Sequence, residues 1–144
     1  MTGRVHIRVQ GTPAPKGSRI PGRRRDGTVF TRPAGRGEKA WAETVAAMAL
    51  PYRGTLLPPY EVELTFYMAR PKRPAWLWPS RNDLDKLVRC CLDGLVVGGV
   101  LADDRHVTGI HAVKRWPLPA SDWTGVDVVV RGVAAANGAE DVAA

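Results

Sequence analysis

The chain has 144 residues, with 21 Lys and Arg against 14 Asp and Glu and a formal charge of +7. Hydrophobic residues make up 44%, enough for a single core, so global disorder is excluded. No apolar run approaches the roughly 20 residues that span a bilayer, MTGRVHIRVQ has no signal-type apolar stretch, and the adjacent Cys90 and Cys91 suit neither a disulfide framework nor zinc, so both read as reduced thiols.

Val5-His6-Ile7-Arg8-Val9 alternates apolar and polar residues, the period of a half-buried strand. Residues 12–28 hold three Pro, three Gly and a dense basic set, which reads as a loop or mobile arm. Val29-Phe30-Thr31 reads as a short strand. From Gly35 to Leu50, Trp41, Val45, Met48 and Ala49 recur at helical spacing, and Pro51 stops the helix. Tyr60 to Met68 is a second strong strand, with Tyr60, Val62, Leu64 and Phe66 on one face. Residues 69–82, rich in Pro, Trp and Arg, form another loop. Leu84, Leu87, Val88, Cys91, Leu92 and Leu95 mark an amphipathic helix that begins near Asp83 and is ended by Gly98 and Gly99. Val107 to Trp116 and Val126 to Val133 are two further strands. Trp41, Trp116 and Trp123 are assigned to the core. This order predicts one α+β domain over residues 1–133, a mixed β-sheet with two main helices packed on it, and a flexible tail over 134–144.

The net charge conceals two opposed distributions. Residues 1–36 carry nine Lys and Arg and one acid, Asp26, and a second basic stretch runs from Arg70 through Lys72, Arg73 and Arg81 to Arg89. Asp83, Asp85, Asp93, Asp103 and Asp104 crowd together in between and just after. Basic arms around a concentrated acidic site suit a polyanion held by the bases and a cation held by the acids. Arms that merely solubilise the chain would have the same composition.

Around the helix that begins near Asp83, the spacing puts Asp85 and Arg89 together beside the apolar stripe, with Asp93 one turn further on. Asp83 lies at or before the first turn, where the backbone is free to aim its carboxylate at the same point as Asp85. Its competing role is an ordinary N-cap, with Asp85 a favourable charge at the helix's positive end. Asp103 and Asp104 read either as a polar turn or as a second acidic pair brought to the same sheet edge. Converging carboxylates repel one another unless a hard cation such as Mg²⁺ or Mn²⁺ lies between them. With Lys16, Arg81, Lys86 and Arg89 around it, such a site suits a phosphodiester.

Asp83-Leu84-Asp85, the basic Arg89, Asp93 and then Gly98-Gly99-Val100-Leu101-Ala102-Asp103-Asp104-Arg105-His106-Val107 resemble the RusA family of Holliday junction resolvases, mostly phage- and prophage-encoded. The family pattern is D-x-D-N-L-x-K, an Asp one turn later, and D-D-x-x-V entering a strand. Gly11-Thr12-Pro13-Ala14-Pro15-Lys16 is similar to its G-x-P-x-P-K opening, and Lys114-Arg115 falls where the family often has basic residues. The resemblance covers about residues 5–131. It implies a homodimeric, Mg²⁺-dependent endonuclease (Mn²⁺ substituting) without a small-molecule cofactor or membrane partner. Such an enzyme nicks opposing strands of a four-way DNA junction in the cytoplasm of a bacterial or phage-infected cell. The catalytic set it implies is Asp83, Asp85, Asp104 and Arg89, with Asp103 as an additional metal ligand and Asp93 in support. Two positions depart from the pattern: the family's Lys falls on Arg89, which cannot readily lose a proton, and its Asn on Lys86. Arg89 therefore stabilises phosphate charge, or Lys86 or Lys16 carries the proton.

Lys16, Arg19, Arg23, Arg24, Arg25, Arg81, Lys86 and Lys114 are the expected DNA contacts, and nothing in the arm resembles a base-reading helix. Symmetric cutting by a one-site chain requires a twofold dimer. Trp76, Trp78 and the segment Val96–Val100 are candidate interface residues, and loop aromatics are alternatively placed to stack on exposed bases. A DNA-binding protein without turnover and a metal nuclease acting on flap DNA or RNA remain the competing functions.

Overall fold

The structure, a computed structural model, describes residues 3–17, 19–33 and 37–132. The tail assigned to 134–144 lies outside the described residues.

Four alternating segments pair as the apolar period requires. Strands β1 (Gly3–Gln10), β4 (Tyr60–Tyr67), β5 (Val107–Arg115) and β6 (Gly125–Gly132) form one sheet in the order β1-β6-β4-β5. The β1–β6 and β6–β4 pairs are antiparallel, whereas β4 and β5 run parallel, so the sheet is mixed. A parallel pair needs a long crossover, and here it contains helix α2 (Leu84–Val97). Helix α1 (Glu38–Ala49) precedes β4 and packs on α2.

One face of the sheet is apolar. Val5, Ile7, Val9, Tyr60, Val62, Leu64, Phe66, Val126, Val128 and Val130 are buried against Trp41, Val45 and Ala49 of α1 and Leu87, Cys91 and Leu95 of α2. The other face is polar, with His6 bonded to Asp127 at 2.5 Å and Arg131 to Glu63 at 3.1 Å. The helices approach closely because α2 offers hydrogen in place of side chains. A Cβ on Gly94 would lie 2.7 Å from Val45 Cβ, and one on Gly98 would lie 2.6 Å from the Ala46 carbonyl oxygen. The contact face of α1 is thus centred on Ala42, Val45, Ala46 and Ala49. Met48 falls off its edge and is exposed, contrary to the sequence reading.

Three further differences stand out. Part of segment 12–28, expected to be loop, is strand β2 (Arg19–Arg23), paired antiparallel with β3 (Val29–Pro33) in a separate two-stranded hairpin. Trp116 and Trp123 are half-buried rather than core, each beneath an arginine: Arg70 lies 4.6 Å from the Trp116 ring and Arg8 lies 4.1 Å from Trp123. Val100, a candidate interface residue, is buried in the core, whereas Val97 is exposed. The two cysteines are free, as expected; both are buried, and burial pushes the Cys90 thiol up to about 11.

Candidate active site

The loop between β4 and α2 ends in a turn that aims the first carboxylate. Asn82 has φ 68, a left-handed conformation that Asn tolerates better than most residues. Lys114 of β5 secures this turn, its Nζ donating to the Asn82 carbonyl at 2.6 Å and to the Arg81 carbonyl at 3.5 Å. Lys114 is thereby occupied with positioning. Asp83 then enters α2 in an extended conformation (φ −73, ψ 133), and its side chain makes no capping hydrogen bond. The capping role weighed for Asp83 is therefore not taken by its carboxylate. That carboxylate is 70% exposed and lies 3.5 Å from Lys86 Nζ. Two residues on, in the first turn of the helix, Asp85 is 3.9 Å from Arg89, both largely exposed. Solvent-exposed pairs of this kind contribute about 0–1 kcal/mol, so neither carboxylate is locked in place.

The second acidic pair is held from beneath. Val100 and Leu101 are buried, and the Ala102 N–H donates to the buried Tyr60 hydroxyl at 3.2 Å. Asp103 caps a single 3-10 turn (Asp104–His106), accepting from the Arg105 N–H at 3.0 Å. That bond, helped by the Arg105 charge, holds the Asp103 carboxyl below the usual carboxylate range. Asp104 is left exposed at the start of the turn.

Asp104 lines a cleft of about 370 Å³ together with Lys16, Lys86, Arg89 and Asp93. Lys16 arrives from the Pro-rich segment after β1. Its N–H donates to the Lys86 carbonyl at 2.9 Å, the Gly17 N–H donates to Glu38 at 3.1 Å, and its Nζ donates to Asp93 at 2.6 Å. The Asp93 bond and charge raise the Lys16 pKa above the ordinary lysine value. Arg89 joins the two halves of the site, pairing with Asp85 while lining the cleft beside Asp104.

The structure therefore brings Lys16, Lys86, Arg89 and Asp104 together and sets Asp83 at the N-cap and Asp85 in the first turn of α2. Among the described residues, no three Asp, Glu, His or Cys side chains are grouped as ligands of one metal ion. Arg23, Arg24 and Arg25 stand apart at the exposed tip of the β2–β3 hairpin, with Arg24 5.0 Å from the Phe30 ring. The Arg19 side chain lies outside the described residues. Arg81 is exposed on the loop before Asp83. Sequence reasoning missed the Lys16–Asp93 pairing, which no local pattern signals. It also missed a groove of about 910 Å³ beside loop 69–82, whose Pro and Trp content was its one signal.

The family model described as endodeoxyribonuclease RusA matches residues 10–130, most of the chain and all of the site just described. The protein is thus of the endodeoxyribonuclease class, built on a mixed α+β sheet. Within that class, the chain belongs to the RusA family. Among curated proteins, none matches the chain. No helix of the described residues is long and apolar enough to cross a membrane.

Proposed function

We propose that this protein is a Mg²⁺-dependent endonuclease that resolves four-way DNA junctions by paired symmetric nicks, acting as a homodimer in DNA recombination or repair. The observation that carries this reading is the shared cleft. Asp104, Lys16, Lys86 and Arg89 line it, and Lys86 and Arg89 also reach the helix-start carboxylates Asp83 and Asp85, the first of which makes no capping bond.

The donor chemistry suits a hard divalent cation, because Asp83, Asp85 and Asp104 offer only carboxylate oxygens on an exposed, polar surface, although the three do not stand together as ligands of one ion in this structure. Drawn together, those three would hold Mg²⁺ or Mn²⁺, with Asp103 fixing the turn that presents Asp104 and adjacent as a further donor. When bound, the ion supplies charge neutralisation at the phosphate and a lowered pKa for the attacking water. Arg89 and Lys86 neutralise charge on the non-bridging oxygens. Arg89 does this without proton transfer, since a guanidinium keeps its proton. Lys16, its amine held protonated by Asp93, has the same task rather than that of a base. The hairpin arginines grip phosphates of a DNA arm. One site per chain cuts one strand, so paired cuts require two chains related by a twofold axis.

Asp83→Asn and Asp104→Asn test the reading. Each variant is expected to lose Mg²⁺-dependent nicking of a synthetic junction by about a hundredfold or more while junction binding is kept. Unchanged nicking by both variants would overturn the assignment. Junction binding by the wild type without any nicking in Mg²⁺ or Mn²⁺, from neutral to alkaline pH, would favour a non-catalytic binder.

A further inference from the structure

The groove beside loop 69–82 is distinct from the cleft that holds Lys16, Arg89 and Asp104. Trp76 and Trp78 stack in its wall, with ring centroids 5.2 Å apart and planes 26° apart, and yet are 54% and 55% exposed. Trp116 lines the same groove beneath the Arg70 guanidinium. Pro13, Pro15, Pro71 and Pro74 add rigid apolar surface, and the lining carries Arg70 and Arg81 but no carboxylate among the described residues. At one end the lining includes Arg81 and Asn82, the residues that turn the chain into Asp83.

These features together select an occupant. A pre-stacked aromatic pair that is more than half exposed offers a flat apolar platform. Wholly positive charge on the rim calls for an anion, and continuity with Asp83 calls for something that enters the cleavage site. A nucleotide whose base is unstacked from its neighbours is flat, apolar on its faces and anionic at its backbone. A linear duplex buries its base faces, whereas the crossover of a branched DNA exposes them. We infer that the groove binds an unpaired nucleotide of the strand being cut, its base stacked on the Trp76–Trp78 platform and its phosphates met by Arg70 and Arg81. The inference rests on the branched-DNA reading given above and names the subsite that makes it structure-selective. Stacking on aromatic side chains tolerates any base, so this subsite selects shape and not sequence.

Intrinsic tryptophan fluorescence and filter binding in EDTA test the groove without needing turnover. The probes are a twelve-residue thymidine oligonucleotide, a synthetic four-way junction and a linear duplex. The single strand is expected to quench wild-type emission. Trp76→Ala with Trp78→Ala should remove that quenching and weaken binding of the single strand and of the junction by about tenfold, leaving the linear duplex unaffected. Both rings are exposed, so the change leaves the core intact, and the Trp76→Phe, Trp78→Phe variant should restore most of the affinity. Wild-type affinity in the alanine variant, an equal loss on linear duplex, or quenching by an acidic peptide but not by the oligonucleotide would overturn the inference. Absence of junction nicking by the wild type in Mg²⁺ is a separate result that sinks the endonuclease reading alone.

Discussion

Lys16 and Asp93 are 77 positions apart in sequence, and a 2.6 Å hydrogen bond joins them in the cleft that Asp104 also lines. The G-x-P-x-P-K resemblance drew attention to Lys16, but its partner lies on a helix far along the chain, and only the fold brings the two together. Asp83 is the converse case: the sequence left capping and catalysis open, and the uncapped carboxylate resolves its structural role. Asp103 takes the polar-turn alternative, capping the turn that carries Asp104. Lys16 also yields a pH prediction. Its pKa is raised in the folded protein, so its charge-dependent stabilisation is fully present below the ordinary lysine value of 10.5 and lost only as pH rises through the raised one. Its contribution to junction affinity should therefore stay flat across neutral and mildly alkaline pH. Lys16→Met should weaken junction binding several-fold throughout that range, and Lys16→Arg should restore it. A Lys16-dependent fall in activity near neutral pH, with binding unchanged, would instead mark the amine as a proton carrier.

Strands β1, β4 and β6 were legible as elements because each buries one face, and alternation records that directly. Helix α2 was legible for the same reason at the helical period, including its end at Gly98, after which Gly99 adopts φ 84. In the β2–β3 hairpin, β3 was legible as the short strand at Val29–Thr31, but its partner β2 was not, since Pro21 and Gly22 are ordinarily strand breakers. Both tolerate this position because the ribbon stands alone and every strand in it is an edge. Gly22 also leaves space that the Phe30 ring fills, its Cζ 2.6 Å from where a Cβ would sit. The tip is ordered by Asp26, which accepts from the Thr28 N–H at 2.9 Å and the Thr28 hydroxyl at 2.7 Å. A fixed tip carrying Arg23, Arg24 and Arg25 predicts a definite electrostatic footprint. Replacing all three by Gln should weaken binding to junction and linear duplex alike. It should also make the slope of log affinity against log salt shallower by about 3. An unchanged slope would show that the hairpin does not touch phosphate.

At the scale of the molecule, the charge of +7 sorts into two working surfaces. Bases ring the carboxylates of α2 and the Asp104 turn, while a separate hairpin carries a further basic cluster. The fold class was legible because two helices and several alternating strands in mixed order admit few architectures. Strand order was not, since the parallel β4–β5 pair and the central place of β6 depend on partners that spacing does not specify. That parallel crossover places α2 with Lys114 of β5 beneath its entry turn and Asp104 along its flank. The most direct measurement of the central claim is strand-resolved nicking of a four-way junction in Mg²⁺, beside matched linear duplex, flap and RNA substrates. Symmetric paired nicks on the junction, religatable and absent in EDTA, with little cleavage of the other substrates, are the predicted result. Equal cleavage of linear duplex or of RNA, or nicks on one strand only, would contradict it.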